Sequence, residues 1–180
     1  MISNWEKSFS FLLKSEGGYS NDADDRGGAT NLGVTKKAWE EYVGHPVDED
    51  EIKSLTPEMV KSFYKGSYWD KCSCDALPEG LDYSVFDFAV NAGSGVSAKC
   101  FQRAVGVPDD SVIGPQTLSV LGKFRPESIL EKMLDERRKH YYNIINKNPT
   151  QVKFLKGWMN RVDAVRQNAL EMINGAKKAS

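Results

Sequence analysis

Nowhere in the sequence do apolar residues run unbroken for the roughly 20 positions that would cross a bilayer, so no stable membrane insertion is expected. Histidine occurs only twice. His45 and His140 stand apart from any acidic or cysteine partner at ligand spacing, which leaves neither a metal site nor a histidine-based nucleophile to expect. Cysteine occurs three times. An odd number does not make a disulfide framework, and Cys72-Ser-Cys74 lacks the second Cys/His pair that would complete a zinc site. Cys100 lies among apolar residues and reads as core, so reduced structural thiols are expected. No glycine-rich phosphate loop ending in Lys-Ser/Thr appears, no repeat or low-complexity tract is found, and no cofactor is expected. The first 15 residues carry Glu6, Lys7 and Lys14 among their apolar positions, which breaks up any signal-peptide core and predicts synthesis in the cytoplasm.

What is present suits a globular protein. A chain of 180 residues, 40% hydrophobic, can bury a core as one domain or two packed lobes. Its net charge of −1 hides an asymmetry: residues 1–90 hold 9 Lys and Arg against 17 Asp and Glu, and residues 91–180 hold 15 against 8. A basic second half can approach an anionic partner such as a cell wall, a nucleic acid or a membrane face. Attraction between two lobes of opposite sign accounts for the asymmetry equally well. The basic run Arg137-Arg138-Lys139-His140 reads as a solvated helix face or as a face turned to such a partner.

Helix signals dominate. Ser3-Asn4-Trp5-Glu6 has the form of a capping box and Gly17-Gly18 supplies a stop, which predicts a helix ending near Ser15 or Glu16 with Trp5, Phe9, Leu12 and Leu13 on one stripe. Tyr19 to Gly33 is rich in Asp, Asn and Gly and reads as a long structured loop, with a short hairpin around Gly27-Gly28. Long ordered loops in small domains are usually functional. Thr35 caps a helix to about Tyr42, and Thr56-Pro57-Glu58 opens another. Leu81 to Asn91 is apolar on most sides and predicts a central buried helix. A shorter helix covers about Val96 to Val105, and another follows Gly114-Pro115 to about Leu121. The tail predicts two antiparallel helices, Pro126 to about Asn146 and Thr150 to about Asn174, closed by Gly175. The loose boundary at Gly93 to Gly95 divides the chain into residues 1–92 and 93–180.

Glu16 is the residue that local physics disfavours. Acidic residues stabilise the first turn of a helix, yet Glu16 stands at the last, where the macrodipole is negative, and it ends an apolar stripe. Both settings disfavour a charged carboxyl, which is what a general acid needs near neutral pH. The competing reading is a solvated Glu on a frayed turn. Glycoside hydrolysis asks for a second carboxylate, and Asp22, Asp24 and Asp25 follow in the loop. They serve equally well to hold the loop's own amides through Asx-turns.

The run Glu16-Gly17-Gly18-Tyr19-Ser20-Asn21-Asp22, then Asp25 and Gly27-Gly28-Ala29-Thr30-Asn31-Leu32-Gly33-Val34-Thr35, resembles the signature of glycoside hydrolase family 108, peptidoglycan muramidases common in phages and prophages. The match continues through Tyr64 and Tyr68-Trp69. In the second half Phe86 to Gly93, Phe101 to Val107, Ile113 to Leu118 and Phe154 to Val162 resemble that family's usual partner, a predicted peptidoglycan-binding module. Ala23 stands where the family pattern has Pro, and Asp24 is an additional acid. The spacing is also similar to more distant phage lysozymes, in which a helix-ending Glu is followed by an Asp nine residues on and then a Thr, an order met here by Glu16, Asp25 and Thr30.

The resemblance implies a mainly α, lysozyme-like catalytic lobe over residues 1–92 and a helical peptidoglycan-binding lobe over 93–180. Its cleft would lie between the Glu16 loop and the helix from Leu81 to Asn91. Glu16 would be the catalytic acid, Asp25 ahead of Asp22 its partner, and Thr30 a residue that positions water. Tyr19, Asp22, Tyr64, Trp69 and Asn91 are the candidate substrate-binding residues, with core packing the competing role for each aromatic. The implied partner is the peptidoglycan glycan strand, with no nucleic acid, acted on by a monomer that waits in the host bacterial cytoplasm for a holin-type or other release route. An active phage and a prophage remnant fit alike. A lytic transglycosylase and a non-catalytic wall-binding or phage structural module are the rival readings.

Overall fold

The computed structural model describes residues 4–20 and 29–179. Ser3, Asp22, Asp24, Asp25 and Gly27-Gly28 lie outside the described residues. Among those described, nine α-helices carry the fold and two-residue strands form the one sheet, so the protein is mainly α as its periodicity implied. Packing divides the chain into two compact units, Phe9–Ser67 on one hand and Met1–Ser8 with Tyr68–Ser180 on the other.

In the smaller unit, helix α1 (Asn4–Ser15) delivers its last turns, with Phe9 and Leu12 buried. Strands β1 (Thr30–Asn31) and β2 (Val34–Thr35) then pair antiparallel, Thr30 opposite Thr35 and Asn31 opposite Val34. The turn between them is Leu32-Gly33. Both turn residues have positive φ, 52° and 78°, the signature of a type I′ hairpin turn. Glycine adopts that conformation freely, but for Leu32 it costs about 1–2 kcal/mol. Ser20 and Thr30 exchange backbone hydrogen bonds of 2.7 Å each way, which ties the chain after α1 to the hairpin.

Three short helices complete this unit: α2 (Lys36–Val43), α3 (Glu49–Lys53) and α4 (Pro57–Tyr64). Thr35 caps α2 by accepting from Ala38 N at 3.1 Å, and Thr56 caps α4 ahead of Pro57. Helix α3 had no reading from apolar period. Its Asp48 accepts from Glu51 N at 2.8 Å, a cap whose Asp-x-x-Glu form was present in the sequence. Buried Asn31 then seats the hairpin on α3: its amide donates to the carbonyls of Ile52 and Lys53 at 3.0 and 3.1 Å. Those carbonyls lie in the last turn of the short helix, so one side chain joins a helix end to a strand. A π-helical turn, Lys65–Trp69, follows α4.

The larger unit is built around α5 (Leu81–Ala92), in which every residue from Leu81 to Ala89 is buried. Around it pack α6 (Ser94–Val105), α8 (Pro126–Lys147) and α9 (Leu155–Ala179), with the one-turn α7 (Pro115–Leu118) between α6 and α8. Gly80, with φ of 88°, lets the chain enter α5 against α9, where a Cβ would lie 2.5 Å from the Ala169 carbonyl. Contacts between α8 and α9 run in opposite sequence directions, Tyr141 with Trp158, Glu131 with Arg166, and Glu127 with Lys177, so the pair is antiparallel. Two expectations for the tail are corrected. A 3-10 segment, Pro149–Phe154, precedes α9, and α9 runs through Gly175 instead of stopping there. A glycine costs a helix interior only about 1 kcal/mol, and Lys177 and Lys178 suit the negative end of the helix beyond it.

Candidate active site

Glu16 follows directly on α1. Its backbone N–H still donates to Leu12 at 3.1 Å, so the side chain leaves from the end of the helical ladder. It is half-buried. Its carboxyl packs on the Cα of Gly33, where a Cβ would stand 2.6 Å from Glu16 Oε2 and 2.6 Å from the Tyr64 hydroxyl. Two atoms equally close to one point are within twice that distance of each other, so carboxyl and phenol converge on the hairpin turn. The Tyr64 hydroxyl donates to the Leu32 carbonyl at 2.8 Å. Tyr64 is itself the last residue of α4, buried, with Phe63 at 5.2 Å and Phe9 at 6.0 Å between ring centroids.

The sequence folds this way for a connected set of reasons. The stop after Ser15 places Glu16 at a helix end, and the positive φ of Gly33 removes the side chain that would occupy its space. Tyr64 pins the strained Leu32 peptide by its carbonyl. Strained backbone collects where the surroundings over-determine it, which is the condition at functional sites. The product is a carboxyl packed against the hairpin turn beside the Tyr64 hydroxyl.

A second polar constellation lies in the larger unit. Asp87 on α5 is fully buried and accepts from Arg137 Nη1 at 2.8 Å and from Arg161 Nη2 at 3.0 Å. Burial alone would push this carboxyl up, but the two guanidinium groups outweigh it and hold Asp87 below the usual carboxylate range. Arg137 Nε donates to the Tyr141 hydroxyl at 2.9 Å, and that hydroxyl donates to Asn91 Oδ1 at 2.6 Å. His140 is pushed below its ordinary value, by burial first and then by Arg137.

Residues 9–93 match the family model described as glycosyl hydrolase 108. The structure is similar to that of Brucella abortus SagA at 34% sequence identity and a TM-score of 0.82, over 94% of this chain and 95% of that one. The chain belongs to glycosyl hydrolase family 108. Residues 96–163 match a second family model, the predicted peptidoglycan domain, and no curated protein matches. This family 108 protein is therefore a glycoside hydrolase, and a peptidoglycan hydrolase by the pairing of its two matched segments. The segments and the packing units differ: α5 falls in the hydrolase match, yet its neighbours are α6, α8 and α9.

Within this family 108 site the residues singled out from sequence are distributed unevenly. Glu16 and Tyr64 are brought together, with Tyr64 as buried support, so it offers no face to a sugar. Thr30 pairs with both Ser20 and Thr35 in the same unit. Tyr19 is 39% exposed, with the Lys53 ammonium 5.4 Å from its ring centroid. Trp69 corrects the expectation of a stacking platform. It is 1% exposed, edge-on to Trp5 at 5.3 Å and Phe86 at 5.6 Å, and its Nε1 donates to Asp75 at 2.8 Å. An aromatic that completes a core has no face left for a ligand. Asn91 is exposed at the end of α5. Asp22 and Asp25 lie outside the described residues.

Sequence reasoning missed Leu32-Gly33 and the Asp87 network. Leucine carries no signature of a left-handed turn, so only Gly33 beside a short alternating stretch hinted at it. Asp87, between Phe86 and Phe88 in an apolar helix, was the available signal for a buried ion pair.

Proposed function

We infer that the protein is an N-acetylmuramidase that cleaves the β-1,4 bond between N-acetylmuramic acid and N-acetylglucosamine, with Glu16 as general acid. The observation that carries this reading is the Glu16 carboxyl seated on Gly33 beside Tyr64, inside the segment that matches the hydrolase family. Glu16 gives its proton to the glycosidic oxygen as the C1–O bond breaks, and the leaving sugar departs as an alcohol. C1 is then taken by water, either directly with Asp25 or Asp22 as base or after a covalent stage on that carboxylate. Thr30, on the strand that closes the loop, is the proposed water-positioning hydroxyl, and Tyr19 a ring for the sugar face. A phage or prophage lysis role fits this activity, with a monomer released from the host cytoplasm to the wall.

Glu16→Gln tests the assignment. Wall clearance by the purified variant is expected to fall about 100-fold to 10,000-fold, the usual share of a general acid, with the melting temperature unchanged. Undiminished clearance overturns it and assigns the acid to another group, whereas a parent chain that binds wall without clearing it would favour a binding module whose wall affinity is its function. A lytic transglycosylase would use the same Glu16 but close an anhydro ring on muramic acid. Mass analysis of released muropeptides separates the two: reducing muramic acid supports the hydrolase, and anhydro ends alone overturn it.

A further inference from the structure

The Tyr141 hydroxyl sits between two groups that leave its proton one direction. Arg137 Nε always carries hydrogen, so the phenol oxygen accepts from it, at 2.9 Å. The phenol's own proton then needs an acceptor, because Tyr141 is buried and an unspent donor there is destabilising. Asn91 Oδ1 provides it at 2.6 Å, a separation ordinary for O–H···O and short for N–H···O. The amide is thereby fixed in one of its two orientations, with its NH2 group turned away from Tyr141.

The order in this relay starts deep. Asp87 fixes Arg137 Nη1, and the Arg137 guanidinium lies over the Phe88 ring, 4.7 Å from its centroid. Only the tip of the relay, Asn91, is exposed. An exposed amide finds water in either orientation and needs no buried relay to satisfy it. A ligand with an acceptor-only group does need a donor held in advance, since orienting one on binding costs affinity. Trp158 stacks on Tyr141 with centroids 4.8 Å apart and planes 13° apart, and Phe154, 45% exposed, lies 5.9 Å from Trp158. Aromatic surface reached through the same tyrosine as a fixed NH2 suits an N-acetylated pyranose, which has an apolar ring face and an acetamido carbonyl.

We propose that Asn91 is the donor of a subsite for the acetamido carbonyl of an N-acetylated glycan, with Arg137 and Tyr141 as positioning residues and Phe154 with Trp158 as the ring surface. The proposal rests on a glycan being the substrate, and it names which chemical group of that glycan the larger unit recognises.

The test uses the full chain carrying Glu16→Gln, so that binding is read without turnover. The β-1,4 tetramer of N-acetylglucosamine, the β-1,4 tetramer of glucose, which differs only in carrying a hydroxyl in place of each acetamido group, and a free stem peptide are titrated separately by calorimetry. The acetylated tetramer is expected to bind about tenfold or more tightly than the glucose tetramer, the difference one well-made hydrogen bond supplies. Asn91→Leu removes that preference, and because it strands the buried Tyr141 proton it is titrated well below a melting temperature measured beforehand. Tyr141→Phe lowers it several-fold by releasing the amide, and Phe154→Ala weakens both sugars alike. The proposal is overturned if Asn91→Leu keeps the preference, if neither sugar binds at millimolar concentration, or if only the peptide binds. Failure of the muramidase reading is told apart, because a protein that digests no wall yet keeps an Asn91-dependent acetyl preference loses that reading and retains this subsite.

Discussion

The two compact units hold their polar groups by opposite means. Around Glu16 the means are short-range and made of backbone: a glycine without a Cβ, a leucine in a left-handed turn, and a phenol on a carbonyl. Around Asp87 they are long-range and made of charge, with partners 50 and 74 residues away in sequence. The first arrangement fails when an atom is added, and the second when a charge is removed. Activity and stability are therefore expected to answer to different residues in the two units.

The largest effect expected from that contrast is on the charged side. Asp87→Ala leaves two guanidinium groups facing each other across a buried space, and breaking a buried pair from one side costs about 3–5 kcal/mol. For a chain of this size that lowers the melting temperature by about 10 °C, read by calorimetry. A loss below about 1 kcal/mol would mean that solvent already reaches the network.

A second aspartate on α5 sharpens the point, because burial acts on it without an arginine. Asp82 accepts from Gly80 N at 2.8 Å and Tyr83 N at 2.6 Å, yet burial outweighs those bonds and pushes its carboxyl up to about 7. Its folded value lies above its unfolded one, so the folded state holds the extra proton. Its contribution to stability is complete below about pH 4 and is lost as pH rises through 7. Asp87 has the opposite sign, with its contribution present above the ordinary carboxylate range and lost as pH falls below it. Asp82→Asn keeps the acceptor oxygen and is expected to flatten the decline between pH 5 and 8, on the order of 2 kcal/mol. Chemical denaturation at those two pH values checks it, and an unchanged slope would assign the decline to other groups.

These contrasts also mark what the sequence could disclose. Signals confined to a few neighbouring residues were readable: Thr35 and Thr56 as caps, Pro57 at a first turn, Leu81 to Asn91 as a buried helix, and Glu16 at an unfavourable helix end within a long family motif. Features that depend on distant partners were not. Trp69 stood open between sugar platform and core until its neighbours Trp5 and Phe86 made it core, and Asp87 gave no hint of Arg137 or Arg161. The Leu32-Gly33 turn was hidden for a different reason: its conformation is imposed by Tyr64 and Asn31, against the preference of leucine.

On the backbone side, Gly33→Ala is the direct test. The added methyl would stand 2.6 Å from both Glu16 Oε2 and the Tyr64 hydroxyl, at a φ that alanine disfavours. Something must shift, and displacing a reacting group by about 1 Å can cost about 100-fold in rate. Turnover of wall fragments is expected to fall by about that factor while the pH profile of stability stays as in the parent. If activity survives with stability lost, the turn supports the fold and not the carboxyl.

The mildest change separates strain from placement. Tyr64→Phe removes the bond to the Leu32 carbonyl and adds no atom, so Glu16 keeps its space on Gly33. One neutral hydrogen bond is worth about 1 kcal/mol net, and the left-handed Leu32 peptide loses the group that pins it. Stability is expected to fall by that amount, and kcat by severalfold with KM nearly constant, since a loosened turn orients the carboxyl less well without touching substrate. A change in KM alone would place Tyr64 against the sugar instead. If neither parameter moves, packing of the ring against Phe9 and Phe63 suffices to hold the turn, and the hydroxyl has no part in orienting Glu16.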